Sequence, residues 1–172
     1  MLIFGIDPGM RCTGFAVIDW NAEPSAVALG FWRPSCKHLA CHVRELDDII
    51  EWWLQTYRPD SAAMEMPFVH PRFPASALQL ERIMAVITTT LVRAGCSWTE
   101  YPTRVIKRSV TGFGHADKAA VRRYLLSMMP SARYWRHMPD DAFDALAVAY
   151  CHGLHGPPLP LELHLCEEAS KR

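Results

Sequence analysis

Residues 2–9 read Leu2-Ile3-Phe4-Gly5-Ile6-Asp7-Pro8-Gly9, and the fold follows from this stretch. A short apolar run closes on an acid and a Pro-Gly turn, the pattern of a buried strand that delivers a carboxylate at its end. Working outward, residues 13–20 and 26–32 are again apolar and are separated by Asn21-Ala22-Glu23-Pro24-Ser25. Three strands joined by short turns form an antiparallel meander. Leu39, Val43, Leu46, Ile50, Trp53 and Tyr57 then alternate spacings of four and three, which predicts a long amphipathic helix stopped at Arg58-Pro59-Asp60.

Residues 61–66 predict a fourth, buried strand. Phe73, Ala77, Leu80, Met84, Ile87 and Leu91 predict a second long helix capped by Gly95, and residues 97–101 a fifth strand. A strand–helix–strand–helix–strand succession implies parallel pairing of the later strands. Thr103 is expected to cap a short helix holding Lys107 and Arg108, followed by a break at Gly112-Phe113-Gly114. A helix over 116–129 ends at Pro130, and Met138-Pro139-Asp140 opens a last helix to about His152, with Asp140 as its cap. The expected architecture is α/β, an RNase H-like mixed five-stranded sheet flanked by helices. One domain covers 1–153, and a Pro-rich tail covers 154–172.

Half of the 172 residues are apolar and 21% are charged, a composition that excludes a disordered chain. The longest mainly apolar stretch, 83–92, is too short to span a membrane, and no leader pattern opens the chain. A cytoplasmic protein with reduced thiols is expected. None of the six cysteines forms C-x-x-C, so a zinc knuckle is not expected. Cys36, His38, Cys41 and His42 read as one helix turn with buried thiols. Cys151, His152 and His155 read as a helix end running into a loop. The net charge of zero hides an asymmetry. Between residues 103 and 137 lie eight Lys/Arg (Arg104, Lys107, Arg108, Lys118, Arg122, Arg123, Arg133, Arg136) and one acid, Asp117. One basic flank beside an acidic remainder suits a polyanion binder that also holds a metal.

Four acids sit where such a metal site needs them. Asp7 ends the first strand, Glu65 ends the fourth, and Asp141 and Asp144 lie three apart near the start of the last helix. Gathered carboxylates repel and rise in pKa unless a cation neutralises them. Mg²⁺, with Mn²⁺ as a substitute, prefers such hard oxygen ligands. Two ions about 4 Å apart suit phosphodiester hydrolysis. Taken singly, three of the acids have a ready structural alternative: Asp7 as a turn residue, Glu65 paired with Arg72 or Arg82, Asp141 at a helix dipole; Asp144 sits a turn inward, where capping explains it less well.

Four blocks in order resemble the RuvC-type Holliday junction resolvases. They are Phe4-Gly5-Ile6-Asp7-Pro8-Gly9 with Thr13-Gly14, then Ala62-Ala63-Met64-Glu65 with Phe68, then the basic segment from Lys107 through Val110-Thr111-Gly112 and Gly114 to Ala116-Asp117-Lys118, and last Asp141-Ala142-Phe143-Asp144-Ala145-Leu146-Ala147. They span about residues 2–152. The resemblance implies a homodimeric, Mg²⁺-dependent endonuclease that resolves four-way DNA junctions by paired symmetrical nicks. Asp7, Glu65, Asp141 and Asp144 would hold the ions, and Lys107 and Lys118 would engage DNA near the scissile phosphate. Phe68 would stack on a base at the junction centre, with Arg104, Arg108 and Arg122 as further DNA-facing cations. Met10 stands where the family more often has a small polar residue. Leu80-Glu81-Arg82-Ile83-Met84 lacks glycines common in the family's dimer helix, and Pro67, Pro71 and Pro74 stiffen the Phe68 loop. Two other readings fit the same residues: a broader nuclease for flaps and forks, and a non-catalytic junction-binding protein.

Overall fold

A computed structural model describes residues 1–36, 38–67 and 74–156. Phe68 and most of the Pro-rich tail lie outside the described residues. β1 (Leu2–Asp7), β2 (Thr13–Asp19) and β3 (Ser25–Trp32) form the meander. α1 (Leu39–Tyr57), β4 (Ser61–Glu65), α2 (Pro74–Arg93) and β5 (Trp98–Tyr101) follow, and then α3 (Thr103–Thr111), α4 (Lys118–Met128) and α5 (Asp140–His155). The strand order is β3-β2-β1-β4-β5. β1 pairs antiparallel with β2 and parallel with β4, and β4 pairs parallel with β5. Among the described residues no helix is long and apolar enough to cross a membrane.

Because side chains alternate along a strand, the two faces of β1 serve two cores. Phe4 and Ile6 face α1 and α2, where Phe4, Phe15 and Trp53 pack with ring centroids 5.7–6.0 Å apart. Ile3 and Ala63 face α5 and the α3–α4 pair. Each large apolar side chain so buried contributes about 1.5–3 kcal/mol. α5 presses onto β1 and β2 so closely that a Cβ on Gly5 would collide with the Ala145 carbonyl oxygen. A Cβ on Gly14 would meet the Asp141 carbonyl oxygen. Only glycine admits this approach, and it sets the N-terminal turn of α5 beside the C-terminal end of β1.

Several boundaries differ from the sequence reading. α4 begins at Lys118 rather than 116, because the Asp117 side chain caps it by accepting from the Ala120 N–H at 2.6 Å. Pro130 ends α4 but also opens a 3-10 helix, Pro130–Trp135, which the sequence reading lacks. Pro139, not Asp140, holds the N-cap position of α5; Asp140 is its first residue and pairs with Arg122 at 2.8 Å. Thr103 is likewise the first residue of α3, after Pro102. The thiols of Cys36 and Cys41 are half-exposed, and Cys36 precedes α1 instead of lying within its first turn. α5 continues through His155, with Cys151 and His152 buried.

His152 shows what that burial does. Its Nε2 lies 3.0 Å from the Ser61 hydroxyl and its Nδ1 3.0 Å from the Tyr101 hydroxyl. Burial, helped by nearby His155, pulls its pKa down to about 4. The unfolded chain therefore takes up a proton near pH 6.5 that the folded chain refuses until about pH 4. The stabilisation is complete above pH 6.5 and is lost as pH falls through that window, by up to about 3 kcal/mol. Urea unfolding between pH 7 and pH 4 should show this slope. His152→Gln should flatten it, and an equal slope in the variant would refute the assignment.

Candidate active site

Parallel register places the first two acids. Ile6 of β1 stands opposite Met64 of β4, so the next residues, Asp7 and Glu65, end adjacent strands on the same face. That is the face on which α5 lies, and its first turns bring Asp144 to them. Asp7, Glu65 and Asp144 line one cavity of about 220 Å³, together with Lys107, Lys118 and Thr103. A larger cavity of about 400 Å³ opens between the ends of α1 and α2, but there Glu51 and Asp60 alternate with Arg58 and Arg93. Of these two, the smaller gathers acids from three separate elements.

The electrostatics of this cavity are costly for the fold. Burial raises the Asp7 carboxyl well above its ordinary range, and the charges of Glu65, Asp144 and Asp141 raise it further. Burial also raises Glu65, against the hydrogen bond from Thr103. It raises Asp144 in turn, against the hydrogen bond from Lys118. Lys118 lies 2.5 Å from Asp144. Burial acts to lower the Lys118 ammonium, but Asp144, Asp7 and Asp141 outweigh it and the net shift is upward. A lysine in the first turn of a helix stands at the wrong end of the helix dipole. The carboxylates opposite supply the compensating attraction.

Asp141 is placed differently from the other three. It is not among the walls of the cavity, yet its charge acts on both Asp7 and Asp144. Its side chain stands near the Cys12 thiol, on the β1–β2 turn, and helps burial to raise that thiol's pKa. Among the described residues no three His, Cys, Asp or Glu side chains are already drawn up around one point as a ligand cage. Lys118 instead supplies the positive charge. The donor set is nonetheless all carboxylate oxygen, which fits Mg²⁺ or Mn²⁺ and not a thiolate-seeking metal.

The basic residues divide into two groups. Lys107 lines the cavity, and Arg104 and Arg108 stand exposed on the outer side of α3. Arg122, expected to face DNA, is held within the fold. Its guanidinium lies 4.1 Å over the Phe143 ring, pairs with Asp140 and donates to the Arg136 carbonyl. Asp140 thus pairs with Arg122 outside the cavity, and its charge, like that of Asp141, still raises Asp144.

Thr103 is the site residue that capping logic concealed. Its hydroxyl donates to Glu65 Oε1 at 2.5 Å and so holds the ionised carboxylate in place. Thr103→Val keeps the volume and removes this bond. It should lower cleavage about 10-fold or more and move the rising limb of the pH–rate profile to higher pH, since Glu65 then ionises less readily. Thr103→Ser should restore both. A rate drop with an unmoved profile would indicate misfolding instead.

Strand order and strand senses, with helices on both faces of the mixed sheet, are those of the RNase H-like fold. A family model described as crossover junction endodeoxyribonuclease RuvC matches residues 3–152, and the chain belongs to that family. The RuvC of Ruegeria pomeroyi is 36% identical over 159 residues, covering 91% of this chain and 93% of that protein. That of Acidiphilium cryptum is 37% identical over 155 residues, covering 89% and 90%. Among solved structures, Thermus thermophilus RuvC in complex with a Holliday junction substrate superposes with a TM-score of 0.79 at 19% identity, covering 90% of this chain and 94% of that one. The yeast mitochondrial Holliday junction resolvase gives 0.67 at 10% identity, covering 88% and 77%.

Proposed function

We propose that the chain is a crossover junction endodeoxyribonuclease that resolves four-way DNA junctions by paired symmetrical nicks. One observation carries the site assignment: Asp7, Glu65 and Asp144, from three elements, are desolvated together in one cavity, with only Lys107 and Lys118 beside them to offset their charge. Stability alone does not select such an arrangement, because like charges in a shared low-dielectric pocket repel. A site for cations does.

Asp7, Glu65 and Asp144 would hold Mg²⁺, with Asp141 as the fourth acid at the rim. Two bound ions supply an activated water and charge stabilisation at the leaving oxygen. The chain's own groups do the rest. Thr103 orients Glu65. Lys107 stands at the cavity wall for the incoming phosphodiester. Lys118 neutralises the acids when the pocket is otherwise unfilled and is free to turn to the phosphate when they are satisfied. Arg104 and Arg108 carry the positive surface along α3 away from the cavity and give the DNA strand a track. A homodimer would set two such sites against opposing strands, which is the geometry paired nicks require.

The test is a panel of branched DNA with Mg²⁺. A mobile four-way junction should yield two nicks at symmetrical positions on opposing strands. Flaps and forks should be cut far more slowly. Equal cutting across the panel, or single unpaired nicks, would support the broader nuclease instead.

A further inference from the structure

Phe113 is 72% exposed, in a chain whose other described phenylalanines are mostly buried. Scattered exposed apolar residues are ordinary. This one differs in how it is held. It follows Gly112, whose φ of 81° turns the chain out of α3. The Thr111 side chain, itself buried, accepts from the Phe113 N–H at 3.1 Å. Its hydroxyl donates to either the Lys107 carbonyl at 2.8 Å or the Phe113 carbonyl at 3.1 Å. The Phe113 carbonyl also accepts from the Ala116 N–H at 3.2 Å. On the other side, Gly114 folds back so closely that a Cβ there would stand 3.2 Å from the Arg104 carbonyl oxygen. The backbone is pinned on both sides of a ring that packs against little.

The surroundings identify what the ring meets. Arg104, Lys107 and Arg108 form no ion pair among the described residues. Lys118 begins the next helix, five residues on. An apolar ring on a loop flanked by Arg104 and Arg108, both exposed and in no ion pair among the described residues, matches a polymer that is anionic along its backbone and aromatic along its side. We propose that Phe113 is a second stacking residue, which engages an unpaired base of the DNA strand held along α3. The inference rests on the nuclease reading above and adds to it a contact outside the carboxylate pocket. Because the loop is ordered before DNA arrives, little conformational entropy is lost on binding. Stacking of this kind is tolerant of sequence, so the contact adds affinity for opened strands without adding base preference.

The experiment measures binding of the full chain in an Asp7→Asn background, so that DNA remains uncut. Ligands are a four-way junction, a single-stranded oligonucleotide, a plain duplex and phosphatidylglycerol vesicles. Phe113→Ala should weaken binding to the first two by about 5- to 150-fold. It should leave duplex binding, the slope of log affinity against log salt and the thermal midpoint unchanged, because no charge and no core contact is removed. Phe113→Trp and Phe113→Tyr should bind like the parent, and Phe113→Leu should not. A 2-aminopurine at the contacted position should change its emission on binding, and this change should vanish in Phe113→Ala. Affinities within twofold of the parent, equal binding by Phe113→Leu, or Phe113-dependent binding to vesicles but not to DNA would each overturn the proposal. The two readings fail separately. Phe113-dependent binding to single strands, without paired nicks by the native chain, sinks the resolvase reading and keeps this one. Paired nicks with undiminished affinity in Phe113→Ala do the reverse.

Discussion

Asp7→Asn should abolish junction cutting, lowering the single-turnover rate by about 10³-fold or more, while junction affinity stays within a few-fold of native. The amide keeps the shape of the carboxyl and the β1 register opposite Gly14. It removes the negative charge that sits deepest among the acids and feels Glu65, Asp144 and Asp141 at once. Binding survives because the exposed cations of α3 lie outside the substitution. A second expectation has the opposite sign. Without divalent cations, a buried carboxylate raised by burial and by its neighbours is a burden on the folded state. Asp7→Asn should therefore raise the thermal midpoint of the protein in EDTA at pH 7. Loss of activity together with greater stability is the signature of a residue kept for function. Retained cutting would remove Asp7 from the site, and a lowered midpoint would show that its charge is compensated in the fold.

Much of this site was legible because strand periodicity and strand ends are local. The apolar runs of β1 and β4 each end in an acid, and parallel pairing then makes Asp7 and Glu65 neighbours without further information. The helices followed from four-three spacing for the same reason. What was hidden depends on choices between local and distant partners. Thr103 carries the hydroxyl of a good cap, but Pro102 takes the cap position and the hydroxyl turns to Glu65, 38 residues earlier. Arg122 counted as one of eight cations, and nothing in its neighbours announces the Phe143 ring or Asp140. Asp141 and Asp144 are three apart on α5, which leaves about 60° between them around the helix axis. With α5 seated tightly on the sheet, that angle is enough to send Asp144 into the cavity and Asp141 toward Cys12.

The seating of α5 makes Gly14 as critical as any acid. Gly14→Ala should destabilise the protein by about 3 kcal/mol or more. It should also lower the cutting rate of the molecules that remain folded by about 100-fold. The new methyl would fall on the Asp141 carbonyl oxygen and carbon, and both are backbone atoms that no rotamer change moves aside. Relief requires α5 to lift or slide by an ångström or more. The helix is anchored along its length by Ala145 and Ala149 against Gly5, and by Gly153 against Trp20. A rigid element held at one end and pushed at the other tilts, and the end pushed is the one that carries Asp141 and Asp144. Denaturant unfolding reads the first effect. Single-turnover cutting at low temperature, where the variant is folded, reads the second. Native stability in Gly14→Ala would mean that α5 does not rest on β2 as described. Lost stability with undiminished cutting would mean that the acids of α5 tolerate displacement, and the case for their holding ions between them and β1 would fall with it.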